Sequence, residues 1–151
     1  MKLRVAEPED APLLAKLHAQ AFERPWDTAA FVRLMAGSGA FGLLAEAEAP
    51  LGLVLCRALA GEAEILTVAV PPPARRRGVA KALMTAALGL ARESGAQAAF
   101  LEVDVDNAAA IGLYEGLGFE RAGLRKAYYD RGAAGRADAL VMRLDLGTQG
   151  H

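Results

Sequence analysis

The chain has 151 residues, 54% hydrophobic and 23% charged, with a formal net charge of −1. That length suits one domain with a single core. No apolar run reaches the ~20 residues of a membrane-spanning helix, and the near-neutral balance argues against a general nucleic-acid binder, which needs an excess of basic residues.

In chain order, the start Met1–Glu7 lacks the long apolar segment of a secretory signal, so a cytoplasmic protein is expected. Glu9 and Asp10 ahead of Ala11, Pro12, Leu13, Leu14, Leu17 and Ala21 predict an acid-capped helix with proline in its first turn, ending near Phe22. A short helix follows over Thr28–Met35, then a Gly37-Ser38-Gly39 turn and a strand over Phe41–Glu46. Leu51–Leu59 and Glu64–Val70 read as further strands, set off by turns at Glu48-Ala49-Pro50 and Gly61-Glu62. Cys56, the single cysteine, lies in the first of these runs and reads as a small core residue rather than a nucleophile.

After Val68-Ala69-Val70 come Pro71, Pro72 and Pro73, which cannot donate to a ladder and so end the strand. Arg75-Arg76-Arg77-Gly78-Val79-Ala80-Lys81 then opens a helix marked by Val79, Leu83, Ala86, Ala87 and Leu90, with a stop at Ser94-Gly95. A helix N-terminus leaves backbone N–H groups without partners and carries partial positive charge, so a basic turn with a side-chain-free Gly78 suits a phosphate; a solvated basic helix start is the plainer alternative. The motif is neither G-x-x-x-x-G-K-[ST] nor G-x-G-x-x-G.

The strand Ala98–Val105 places Leu101, Val103 and Val105 on one face and Glu102 with Asp104 on the other. Asp106-Asn107 caps a helix over Ala108–Leu117, and Asn107, Ile111 and Tyr114 share one of its faces. Packed beside the preceding helix, Tyr114 would point at the ligand that Gly78 binds; as a half-buried core residue it would not. Strands near Phe119–Arg125 and Ala137–Leu144 complete a mixed α and β order, and Gly147–His151 reads as a loose tail after a domain of residues 1–146. Arg121, Arg125, Lys126, Arg131 and Arg136 form a second basic cluster, for which solvated surface charge is preferred over anion binding.

Together these residues resemble the GNAT superfamily of acyl-CoA-dependent N-acetyltransferases over nearly the whole chain. Arg75–Ala80 matches the family's [QR]-x-x-G-x-[GA] turn, and Leu101-Glu102-Val103 with Asn107–Phe119 is similar to the RimI-type branch, the ribosomal-protein alanine N-acetyltransferases. Ala21-Phe22, Pro25-Trp26, Tyr128-Tyr129 and Gly135–Met142 add to that similarity. The resemblance implies an α+β domain with a mixed sheet of about seven strands and helices on both faces. It implies acetyl-CoA as co-substrate, no metal, and direct transfer without an acyl-enzyme, to a protein N-terminal amine such as that of a ribosomal protein.

By position it implies Glu102 as general base and Tyr114 as general acid. Acetyl-CoA would be held by Val68, Ala69 and Val70, by the turn Arg75, Arg76, Arg77, Gly78, Val79, Ala80 and Lys81, and by Asn107 and Tyr114. A lysine side chain or a small amine stays open as acceptor, as does a silent acyl-CoA-binding domain, which would need neither Glu102 nor Tyr114. The expected protein is a monomer or homodimer that binds no nucleic acid or membrane. Departures are the triple proline, the all-arginine approach to Gly78, and the small-residue loop Asp130-Arg131-Gly132-Ala133-Ala134, so acceptor choice transfers least.

Overall fold

Alternating runs become strands and apolar stripes become helices in the computed structural model, in which the described residues are 1–130 and 136–147, with side chains described for 1–126 and 138–147. The strands are β1 (Lys2–Val5), β2 (Ala40–Glu46), β3 (Pro50–Leu59), β4 (Glu62–Ala69), β5 (Ala98–Asp104), β6 (Glu120–Asp130) and β7 (Arg136–Asp145). The helices are α1 (Ala11–Ala21), α2 (Thr28–Met35), α3 (Val79–Glu93) and α4 (Ala108–Gly116). All seven strands join one sheet in the order β1-β2-β3-β4-β5-β7-β6, antiparallel throughout except where β4 meets β5.

The residue pattern alone misses β1: Lys2–Val5 is four residues long with exposed ends, too short for alternation to stand out. Beyond Asp130 and Gly147, the loop 130–134 and the tail 147–151 singled out in the sequence lie outside the described residues. The start of α1 also differs from expectation. A 3₁₀ turn at Pro8–Asp10 leads into it, and the Asp10 carboxylate turns back to accept the Glu7 N–H at 2.8 Å and Arg4 at 2.8 and 3.0 Å instead of capping α1. The Arg4 guanidinium holds that carboxyl below its usual range and also reaches Glu46 at 2.8 Å, tying β1, β2 and the turn together. Asp27 and Asn107 do cap their helices, accepting from Ala30 N–H and Ala110 N–H at 2.9 and 3.1 Å.

Two cores sandwich the sheet. On one face, Val79, Leu83, Met84 and Ala87 of α3 and Ile111 and Tyr114 of α4 pack on Val54, Cys56, Ile65, Leu101 and Val103. On the other, Leu14 and Leu17 of α1 and Phe31 of α2 pack on Leu44, Leu53, Leu55 and Ala69, so helices cover both faces as expected. Cys56 lies in the first core with its thiol pushed up to about 12 by burial, which suits packing and not nucleophilic attack. Among the described residues no helix is long and apolar enough to cross a membrane.

One polar side chain sits inside the second layer. His18, 2% exposed, accepts the Trp26 N–H on Nδ1 at 3.0 Å and lies 3.1 Å through Nε2 from the Thr67 hydroxyl of β4. Burial lowers its pKa to about 4, so the ring is neutral in the folded protein at neutral pH. An unfolded histidine binds its proton near pH 6.5, so folding loses stability as pH falls from there through 4, and the contribution is whole above about pH 7. Denaturant unfolding of the protein and of His18→Gln at pH 7, 5.5 and 4.5 should show the gap between them closing with acidity by up to about 1.4 kcal/mol per pH unit.

Candidate active site

β4 and β5 pair only at Glu62 with Ala98, Ala63 with Ala99 and Glu64 with Phe100. Past these positions the ladder stops, and the backbone groups of Ile65–Ala69 that point toward β5 have no strand partner. A register irregularity contributes: against Leu55 and Cys56 of β3 stand Thr67 and Ile65, leaving Leu66 as an extra residue that bends β4. The result is a notch through the middle of the sheet, opening toward the C-terminal ends of two parallel strands.

The turn after β4 lies at the open end of that notch. A 3₁₀ turn at Pro72–Ala74, not foreseen in the sequence, carries the chain from the strand to the arginines. Arg76 (φ 62°) and Gly78 (φ 74°) both adopt left-handed backbone. Gly78 is the N-cap of α3, and a Cβ built on it would meet nothing within 4 Å, so its exposed side is clear for a ligand. The first helical bond runs from Ala82 N–H to the Gly78 carbonyl at 3.0 Å, which leaves the N–H groups of Val79, Ala80 and Lys81 ahead of the ladder. Arg76, Arg77 and Lys81 are exposed beside them. Arg75 is directed elsewhere: its Nε donates to the Val70 carbonyl at 2.8 Å and a second nitrogen approaches the Ala21 carbonyl at 3.5 Å, so it braces the turn against β4 and α1.

The two residues expected to carry proton transfer come from opposite faces. On β5, Leu101 and Val103 are buried in the α3/α4 core, so Glu102 faces the α1/α2 side, half-buried. Tyr114 approaches from the α3/α4 side, 7% exposed and edge-on to Phe119 at 6.0 Å between ring centres. Burial pushes its phenol up to about 12. No described residue hydrogen-bonds its hydroxyl, yet among the described residues no fully buried side-chain polar atom lacks a partner, so the hydroxyl is not fully buried. Asn107 uses its carboxamide oxygen as the cap of α4. Val68 and Val70 pack toward α3, whereas Thr67 and Ala69 face α1.

Arg125 is the residue that sequence reasoning undervalued. Standing opposite Ala139, it reaches across β7 to Glu102, opposite Val141, and one guanidinium nitrogen donates to both carboxylate oxygens at 2.9 and 3.0 Å. It is therefore paired with the candidate base and not only solvated charge, while Arg121 lies 3.5 Å from Glu115 on the surface. Among the described residues no group of three His, Cys, Asp or Glu could hold a metal.

The basic turn ahead of α3, Glu102 on β5 and Tyr114 on α4 are the residues singled out in the sequence; the gap between β4 and β5, and the opposite sheet faces of Glu102 and Tyr114, are added by the structure. The profile of the Acetyltransferase (GNAT) family matches residues 11–119. The chain belongs to that family. It is thus an N-acetyltransferase, and its relatives agree. It is 37% identical over 145 residues to the N-alpha-acetyltransferase RimI of Mycobacterium tuberculosis, covering 91% of this chain and 88% of that one. It is 30% identical over 140 residues to the ribosomal protein bS18-alanine N-acetyltransferase of Escherichia coli, covering 93% and 94%. The crystal structure of the E. coli ribosomal-protein-S18-alanine N-acetyltransferase superposes with a TM-score of 0.91 at 28% identity, over 99% of this chain and 96% of that one. A 39% identical stretch of 143 residues matches an uncharacterized protein of Mycobacterium leprae, of whose length this chain spans 38%.

The left-handed backbone at Gly78 gives a direct check on the turn. Gly78→Val places a branched side chain in the clear space and strains the backbone by about 1–2 kcal/mol. Coenzyme A should bind at least about tenfold more weakly by titration calorimetry, roughly 1.4 kcal/mol, with the fold retained.

Proposed function

We propose that this protein moves an acetyl group from acetyl-CoA directly to the α-amine of a protein N-terminus, and that Glu102 and Tyr114 handle the protons. Acetyl-CoA, when bound, supplies the acetyl group as an activated thioester. The observation that carries the reading is that these two side chains lie on opposite faces of a sheet whose β4–β5 ladder stops after three pairs.

On the α3/α4 side, the N–H groups of Gly78, Val79, Ala80 and Lys81 are suited to a pyrophosphate, with Arg76 and Arg77 free to approach further phosphate oxygens. The β5-facing backbone of Val68, Ala69 and Val70 can take the hydrogen bonds of an extended amide-containing arm, as a missing strand would, and can offer an N–H to the thioester oxygen. The Asn107 carboxamide keeps its N–H₂ donors for the same arm. These residues fit the co-substrate, since they combine donors, small side chains and a clear approach.

On the α1/α2 side, Glu102 is the base for the acceptor. An N-terminal amine is largely protonated at neutral pH and attacks only after losing a proton, which a Glu102 carboxylate oxygen accepts, directly or through a water. Arg125 holds that carboxylate in place until an acceptor ammonium competes for it. Tyr114 holds its phenolic proton on Oη for the departing sulfur. Its raised pKa keeps the proton in place throughout the working range, a requirement for an acid that must be protonated at each turnover.

The N-terminal acceptor is favoured by the relatives: the Mycobacterium tuberculosis protein is named an N-alpha-acetyltransferase, and the E. coli protein acts on the alanine of ribosomal protein bS18. A ribosomal protein beginning with alanine is the acceptor we propose here, in the cytoplasm.

A set of peptides with free N-termini, lysine peptides with blocked N-termini, and small amines tests the choice. Acetylation of an alanine peptide at its α-amine should exceed that of the others, and preference for lysine or a small amine would overturn the assignment. Glu102→Gln should lower kcat/KM by about 10²–10⁴ at neutral pH. Tyr114→Phe should lower kcat with little change in coenzyme A affinity, and the wild-type kcat profile should show no descending limb from Tyr114 below pH 10.

A further inference from the structure

His18 lies outside the groups proposed to handle protons, yet it links the connection between α1 and α2 to β4, on the face of the sheet to which Glu102 belongs. It occupies the last turn of α1 and is flanked by the rings of Phe22 and Trp26, stacked with centroids 4.4 and 5.0 Å away, with Phe31 edge-on at 5.5 Å. Its Nδ1 accepts the Trp26 backbone N–H, so Nδ1 carries no proton, and the neutral ring must carry its proton on Nε2. Nε2 therefore donates to Thr67 Oγ1. One tautomer thus serves two bonds: one to the chain between α1 and α2, the other to β4.

Both ends of this link matter to the site. Thr67 follows the extra residue Leu66 and directly precedes Val68, in the stretch of β4 that pairs with β3 but has no partner in β5. The segment from Phe22 to Asp27 lies on the α1/α2 side of the sheet, the side to which Glu102 belongs. The start of that segment is tied to the turn at the open end of the notch, where Arg75 approaches the carbonyl of Ala21 at 3.5 Å. Apolar stacking alone would leave the segment free to slide, since it is non-directional; two hydrogen bonds from a buried ring fix its register.

We propose that His18 is a positioning residue for the acceptor amine: it locks the Phe22–Asp27 segment to β4 at Thr67, so that the acceptor's wall and the strand beside the thioester hold one geometry. This rests on the function proposed above. The role is one of specificity and orientation, and His18 exchanges no proton with the substrate. Nothing in spacing suggests it, because His18 and Thr67 are 49 residues apart.

Two substitutions divide the link. The oxygen of His18→Asn takes the place of Nδ1 and keeps the Trp26 bond, while the nitrogen of His18→Gln takes the place of Nε2 and keeps the Thr67 bond. Thr67→Val removes the hydroxyl with little change of shape. With an N-terminal alanine peptide as acceptor, each should raise the peptide KM about fivefold, the equivalent of one hydrogen bond of roughly 1 kcal/mol, with the coenzyme A dissociation constant within about twofold. Thr67→Val added to His18→Asn should cost nothing further, since both remove the same bond.

Equal weakening of peptide and coenzyme A, or an unchanged peptide KM with a lowered melting temperature, would reduce His18 to a core residue and overturn the proposal. A readout independent of catalysis uses Trp26, the single tryptophan of the sequence. Its fluorescence should titrate with a midpoint below pH 5 in the wild type and lose that transition in His18→Gln. A midpoint near 6.5 would show that the ring is not held neutral between its two bonds. Wild-type protein that acetylates no alanine peptide but shows the low midpoint would count against the acceptor assignment and leave the histidine link standing.

Discussion

The fold depends on a hydrogen-bond ladder that stops early. Parallel strands buried between two helical layers ordinarily pair along their length, because an unpaired backbone group away from water is costly. Here β4 and β5 share three paired positions and then part. The extra residue at Leu66 bends β4 away, and the prolines from 71 to 73, which have no N–H to offer, keep it from returning. The opening that results is lined by backbone donors and acceptors and spans the sheet. In the proposed function, a long, flexible thioester that carries amides uses it as a strand would, and an amine meets its far end from the other face. In the roles proposed for them, Glu102 and Tyr114 need no mutual contact, since each would address a different atom of the same reacting pair.

The elements that can be read from the sequence are those whose signal is local. Helix α2 matches its expected bounds, and the capping role of Asn107 follows from residue type and position alone. Alternation in Phe100–Val105 correctly separates Glu102 from Leu101 and Val103. What could not be read depends on distant parts of the chain. Asp10 looks like a helix cap until Arg4 and the Glu7 N–H claim its carboxylate. Arg125 is one of several basic residues in its neighbourhood, and only the β5-β7-β6 order puts it across from Glu102. His18 falls on the apolar stripe of α1, where a polar residue marks a buried partner somewhere, but the stripe does not say where.

The three arginines before Gly78 illustrate the same division. Their sequence suggests equal members of one basic patch. Backbone geometry distinguishes them: Arg75 is extended and folds back to carbonyl oxygens, while Arg76 has a left-handed backbone. A guanidinium engaged with the Val70 carbonyl stiffens the junction of strand and turn. The remaining two supply positive charge where the helix N-terminus already favours an anion, so the local field exceeds what a net charge of −1 suggests.

The position of β6 at the rim of the sheet has a consequence for solubility. An outermost strand of eleven residues presents a row of unpaired peptide groups on which a second chain could polymerise. This one steps out of register between Arg121 and Gly123 and again between Arg125 and Tyr129, and it carries Glu120, Arg121, Arg125 and Lys126. Broken register and ionic side chains deny an incoming strand the flat, uncharged template that amyloid-like stacking requires. The rim can thus stay extended, with its Arg125 paired to Glu102, without becoming a nucleus for aggregation.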